Sequence, residues 1–95
     1  MKLADVKRKA APVLKAHGIA RASVFGSTAR GTAGAGSDVD FLVRLGRPTG
    51  MIGYMRLVGD LEDALGSDVD VVTERTLHPM VRDRVLAEAE EIYVA

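Results

Sequence analysis

The chain has 95 residues, 47% of them hydrophobic, with no cysteine and only 4% aromatic residues. That length predicts one compact unit over residues 1–95, without a second domain, and the lack of cysteine excludes disulfides, thiolate nucleophiles and sulfur-ligated zinc. Thirteen Lys and Arg balance thirteen Asp and Glu, yet residues 1–30 hold seven bases against one acid and residues 31–95 six bases against twelve acids. Leu3, Val6, Ala10, Val13 and Leu14 recur at helical spacing up to a His17-Gly18 stop, so the first element is an amphipathic helix. Lys2, Lys7, Arg8, Lys9 and Lys15 suit its solvated face, and Pro12 is its weak point. Ala22 to Phe25 has strand composition, and Ser27 after Gly26 suits the cap of a short helix through Arg30. The small residues Gly31 to Ser37 lead into a strand from Val39 to Val43, bounded by Gly46 and Pro48. Met51, Met55, Val58, Leu61 and Leu65 make a second helical stripe ended by Gly66, and Val69 to Thr73 reads as a third strand. Pro79 opens a last helix carrying Met80, Val81, Val85, Leu86 and Ala89, followed by a terminal strand at Ile92 to Val94. The fold class is therefore α/β, an alternation of four helices and four strands with helices covering one small mixed sheet.

Several function classes drop out. The longest apolar runs are a few residues and charges interrupt the first eight positions, which predicts a soluble, cytoplasmic protein with no membrane partner. With few aromatics and no Trp, stacking platforms for nucleic acid are hard to assemble, so no direct nucleic-acid partner is expected. There is no GxxxxGK[ST] loop, no complete dinucleotide fingerprint around Gly34 and Gly36, and no G-x-S-x-G elbow. His17 and His78 stand alone and read as surface or capping residues.

The chemistry-bearing residues are acidic. Gly36-Ser37-Asp38-Val39-Asp40 recurs letter for letter as Gly66-Ser67-Asp68-Val69-Asp70, and both copies open a strand. Asp38 and Asp40 are two apart, so on a strand their side chains leave one face with Cα atoms roughly 6.6 Å apart. A Mg²⁺ ion, which takes hard oxygen ligands and commonly one or two carboxylates plus substrate phosphates, would stabilise such a pair. A solvated turn in which Asp38 caps backbone and Asp40 faces water fits the same letters. Gly26-Ser27 permits close backbone approach to an anion beside the positive end of a helix dipole, or serves simply as an N-cap.

Gly26-Ser27, ten intervening residues and then Asp38-Val39-Asp40, in the order strand, turn, short helix, strand, resembles the GSx10DxD signature of the nucleotidyltransferase superfamily that includes DNA polymerase β. The short chain, the Gly-Ser-x-x-Arg-Gly opening and the tail from Arg82 to Tyr93 look like the minimal nucleotidyltransferase (MNT) group, over residues 19–95. The resemblance implies two Mg²⁺ ions held by Asp38, Asp40 and an acid on the following strand. That pattern has one acid embedded in the strand, which favours Asp70 over Asp68. It implies nucleotide contacts from Gly26, Ser27 and Arg30, with Arg30 equally readable as a surface arginine. Thr32-Ala33 departs from relatives that carry an acid or polar residue there, which touches substrate contacts rather than the metal site. It further implies an adenylyltransferase antitoxin that moves AMP from ATP to a tyrosine of a HEPN-domain toxin. Larger superfamily members usually carry an added acceptor domain, so a partner surface, involving Met51, Tyr54 and Met55, is expected to present the acceptor here. As methionines on an apolar stripe, Met51 and Met55 fit the core as well. Two alternatives are a non-catalytic antitoxin or assembly subunit that masks its partner, and a small-molecule nucleotidyltransferase of the aminoglycoside-modifying type working as a homo-oligomer.

Overall fold

Helix α1 spans Leu3–Ala16 because Val6, Ala10 and Leu14, four residues apart, are all fully buried along one stripe. In the computed structural model, which describes residues 2–26, 29 and 38–95, Pro12 lies inside this helix on its exposed side. The amide that Pro12 lacks would have met the carbonyl of Arg8, a residue also at the surface, where solvent can satisfy it. Lys2, Lys7, Arg8 and Lys15 are exposed as expected, with Lys9 half-buried.

Strand β1 runs Ile19–Phe25 and strand β2 Val39–Leu45, each longer than its apolar run suggested. They pair antiparallel, Val24 opposite Phe41 and Phe25 opposite Asp40. Helix α2, Met51–Leu65, then carries the chain back so that β3, Val69–Thr73, pairs parallel with β2. A 3-10 turn at Glu74–Thr76 precedes helix α3, Pro79–Glu88, and β4, Glu90–Val94, closes on β1 in antiparallel fashion. The sheet order β3-β2-β1-β4 is thus mixed, as the alternation of elements predicted. The short helix expected from Ser27 to Arg30 and the segment Gly31 to Ser37 fall outside the described residues apart from Ala29.

One face of the sheet makes the core. Ala22, Val24, Phe41, Val43, Val71 and Ile92 meet Val6, Ala10 and Leu14 of α1 and Leu57, Leu61 and Leu65 of α2. Each fully buried leucine or phenylalanine contributes about 1.5–3 kcal/mol of transfer free energy. The alternate residues of the same strands, Ser23, Phe25, Asp40, Leu42, Arg44, Asp70 and Val72, point to the opposite face.

Two helical stripes depart from expectation. Met51 and Met55 are 76% and 64% exposed. The buried stripe of α2 runs through Leu57, Leu61 and Leu65, and Met55 stands two residues from Leu57, on the order of 200° round the helix. In α3 no residue is buried, and Met80 is 85% exposed, because α1 and α2 already fill the core face. Leu86 and Ala89 instead line a cavity of about 210 Å³ with Leu42, Ser23 and Arg21 on the other face. Among the described residues, no helix is long and apolar enough to cross a membrane.

Candidate active site

The two Gly-Ser-Asp-Val-Asp copies meet side by side. In the parallel ladder Val39 pairs with Val69 and Asp40 with Asp70, and the Val39 amide donates to the Asp68 carbonyl at 3.0 Å. Parallel neighbours stand about 4.8 Å apart, so Asp40 and Asp70 leave the open face next to each other. Asp38 lies immediately before β2 and two residues from Asp40. Asp40 is half-buried, while Asp38 and Asp70 are exposed. Behind them, Val39, Phe41 and Val71 anchor both strands in the core, a rigid mount for the carboxylates.

β1 brings the Gly26 turn to the same place, since Phe25 is the register partner of Asp40. Gly26 has φ +71°, in the left-handed region, and a Cβ built on it would stand 2.6 Å from Asp40 Oδ2. Only glycine lets the turn approach the carboxylate this closely. Ser27 and Arg30, the other expected nucleotide contacts, lie outside the described residues.

The donor set suits a hard cation. Asp40 and Asp70 share one face and one end of the sheet, Asp38 lies just before β2 at that same end, and carboxylate oxygens are the donors such a cation takes. Among the described residues no three acidic or imidazole side chains already converge on one point, so ligation would require side-chain rotation. Asp38 and Asp70, exposed at the surface, have room for it.

Two contacts on the outer edge of β3 were not anticipated. Tyr54 of α2 donates its hydroxyl to the Val71 carbonyl at 2.8 Å, and Glu62 of α2 accepts from the Val69 amide at 3.3 Å. These bonds flank Asp70 and satisfy polar groups that an edge strand leaves open. A tyrosine within an apolar helical stripe was the one hint, since its hydroxyl seeks a partner. The lone histidines behave as expected of structural residues. His78 Nδ1 caps α3 by accepting from the Met80 amide, and His17 is 2.7 Å from Asp60 of α2.

Comparison with known proteins gives a consistent picture. The family model described as nucleotidyltransferase domain matches residues 7–92. The chain is 42% identical over 92 residues to a candidate protein adenylyltransferase of Methanocaldococcus jannaschii, covering 97% of this chain and 99% of that one. It is similar to a solved minimal nucleotidyltransferase at TM-score 0.80 and 40% identity, covering 95% of each chain. A solved toxin-antitoxin complex with AMP-PNP aligns at TM-score 0.79 and 25% identity, over 94% of this chain and 73% of that one.

Proposed function

We propose, from the premise that this chain belongs to the nucleotidyltransferase domain family and is a nucleotidyltransferase, that it transfers AMP from ATP to a tyrosine of a partner HEPN-domain toxin. Residues 1–95 then act as one minimal domain, and the partner supplies the acceptor. The observation that carries this reading is the register of Asp40 beside Asp70, with the Gly26 turn pressed against the Asp40 carboxylate. The adenylyl group and the antitoxin role are supported by the M. jannaschii relative and by the toxin-antitoxin neighbour that holds AMP-PNP.

In this reading Asp38, Asp40 and Asp70 hold Mg²⁺, which when bound supplies charge neutralisation at the attacking and leaving oxygens. Gly26, Ser27 and Arg30 receive the triphosphate. Asp40 is fixed by its strand and by the turn at its back, so it orients the α-phosphate end of ATP. Asp70, exposed on the acceptor side, takes the proton of the attacking tyrosine hydroxyl. A bond forms from that oxygen to the α-phosphorus, the bond between the α-phosphorus and the bridging oxygen breaks, and pyrophosphate leaves. The partner docks over the first turns of α2, where Met51, Ile52 and Met55 are all more than 60% exposed.

The test is labelling of a host lysate or of the candidate partner with α-³²P-ATP and γ-³²P-ATP, with and without Mg²⁺. Transfer of the α label alone onto a protein band, lost without Mg²⁺ and in Asp40→Asn, is expected. Absence of label while a partner still co-purifies would replace this reading with masking without catalysis. Labelling of a small molecule alone would favour the aminoglycoside type of acceptor.

A further inference from the structure

The face of the sheet turned away from the core continues past the aspartates, over a buried Leu42, to an arginine end. Asp40, Leu42 and Arg44 alternate along β2 and share that face, so Arg44 lies about 13 Å beyond Asp40. Arg44 is the register partner of Arg21 on β1. Two like charges directly opposite each other are destabilising unless something offsets them. Arg21 is taken up by an ion pair with Glu91 of β4. Arg44 has no carboxylate partner among the described residues, and Arg75, in the 3-10 turn after β3, has none either. Both arginines line one cavity of about 330 Å³, together with Val43, Leu45, Thr73 and Glu74. Arg44 and Glu74 also line the adjoining 210 Å³ cavity, which runs over Leu42. Glu74 closes no ion pair with either arginine, so among the described residues the cavity carries two positive groups and one negative group.

We propose that Arg44 and Arg75 form an anion subsite for the acceptor polypeptide, taking an acidic side chain about four residues from the hydroxyl that is modified. This inference rests on the proposed protein-nucleotidylating function. In the proposed function the triphosphate lies by Gly26 and the aspartates, at the N-terminal end of β2, and the arginines lie at the C-terminal ends of β2 and β3. An extended peptide rises about 3.3 Å per residue, so four residues span the gap between Asp40 and Arg44. Guanidinium groups recognise carboxylates through paired N–H donors, a geometry that an adenine ring does not offer.

The experiment uses the full chain and two synthetic peptides, acetyl-Tyr-Ala-Ala-Ala-Glu-amide and its Gln counterpart, with inorganic phosphate as a third probe, read by NMR at the arginine Nε–H signals. The Glu peptide is expected to shift Arg44 and Arg75 and to bind roughly tenfold more weakly to Arg44→Ala, with Arg44→Lys in between. AMP-PNP affinity should be unchanged in both variants. Where a protein acceptor is in hand, its KM should rise in Arg44→Ala while kcat and the KM for ATP hold. Equal shifts with Glu and Gln peptides, shifts with phosphate only, silent Arg44 and Arg75 signals, or an equal loss of AMP-PNP affinity would each overturn the proposal. A wild-type chain that labels no protein yet shows the Glu-specific shift refutes the proposed function and leaves the anion subsite standing.

Discussion

Replacing Gly26 by alanine separates two costs that usually arrive together. The left-handed backbone at φ +71° penalises any L side chain by about 1–2 kcal/mol. The new Cβ would also stand 2.6 Å from Asp40 Oδ2, whereas ordinary contact begins at 3.4 Å, so the carboxylate or the turn must move by roughly 0.8 Å. Gly66 provides the control, because its φ is +68° and a Cβ there would meet nothing within 4 Å. Both Gly26→Ala and Gly66→Ala should therefore lose about 1–2 kcal/mol, seen as a Tm lower by about 5–15 °C for a domain of this size. They should differ in chemistry. Constellations tolerate about 0.5 Å and a 1 Å misplacement costs on the order of 100-fold, so Gly26→Ala should transfer AMP 10- to 100-fold more slowly. Gly66→Ala should stay within about threefold of wild type, since its Cβ would press on no described carboxylate. Single-turnover transfer at saturating ATP, measured well below both melting temperatures, reads the difference. Equal slowing in the two variants, or wild-type transfer by Gly26→Ala, would refute the argument that Gly26 is there to let the turn reach Asp40.

Asp40→Asn should fold normally and, on the proposed function, lose on the order of 10³-fold or more in transfer rate, as measured with labelled ATP, because a neutral amide would replace the carboxylate assigned there to Mg²⁺. Tyr54→Phe removes the bond to the Val71 carbonyl, so urea denaturation should show a loss of about 0.5–1.5 kcal/mol. If that bond also aims Asp70, kcat should fall roughly threefold while the KM for ATP holds, and Tyr54→Phe with unchanged kcat restricts Tyr54 to stability. Met55→Glu should leave Tm within about 3 °C of wild type, as its side chain is exposed, and should abolish co-purification of the partner. Retention of the partner by Met55→Glu would move the docking surface away from α2.

Much of the local structure was legible because periodicity reports it directly. The four-residue spacing of Val6, Ala10 and Leu14, the run from Val69 to Thr73 and Pro79 at the start of α3 all encode backbone conformation over a few residues. The stripes of α2 and α3 misled because an apolar residue at helical spacing is buried only if another element reaches it. Met55 stands on the far side of α2 from Leu57 and Leu61, and α3 found the core face already occupied. The pairing of Tyr54 and Glu62 with the edge of β3 joins residues up to seventeen positions apart, which no local pattern records.

From the letters alone follow the alternation of helices and strands, the acidic openings of two strands and the Gly-Ser turn at a set distance from Asp38 and Asp40. Those features depend on short-range sterics and on hydrophobic spacing, which a sequence displays openly. Only the tertiary structure decided that the two identical pentapeptides lie side by side, that Gly26 abuts the Asp40 carboxylate and that Arg44, at the far end of the same face, has no carboxylate partner among the described residues. Register between strands is set by which residues of β2 and β3 can be buried together once α2 has carried the chain across the sheet. A slip of one residue there would turn Asp70 into the core and Val71 out of it, so burying Val71 beside Phe41 is what places the third carboxylate beside Asp40.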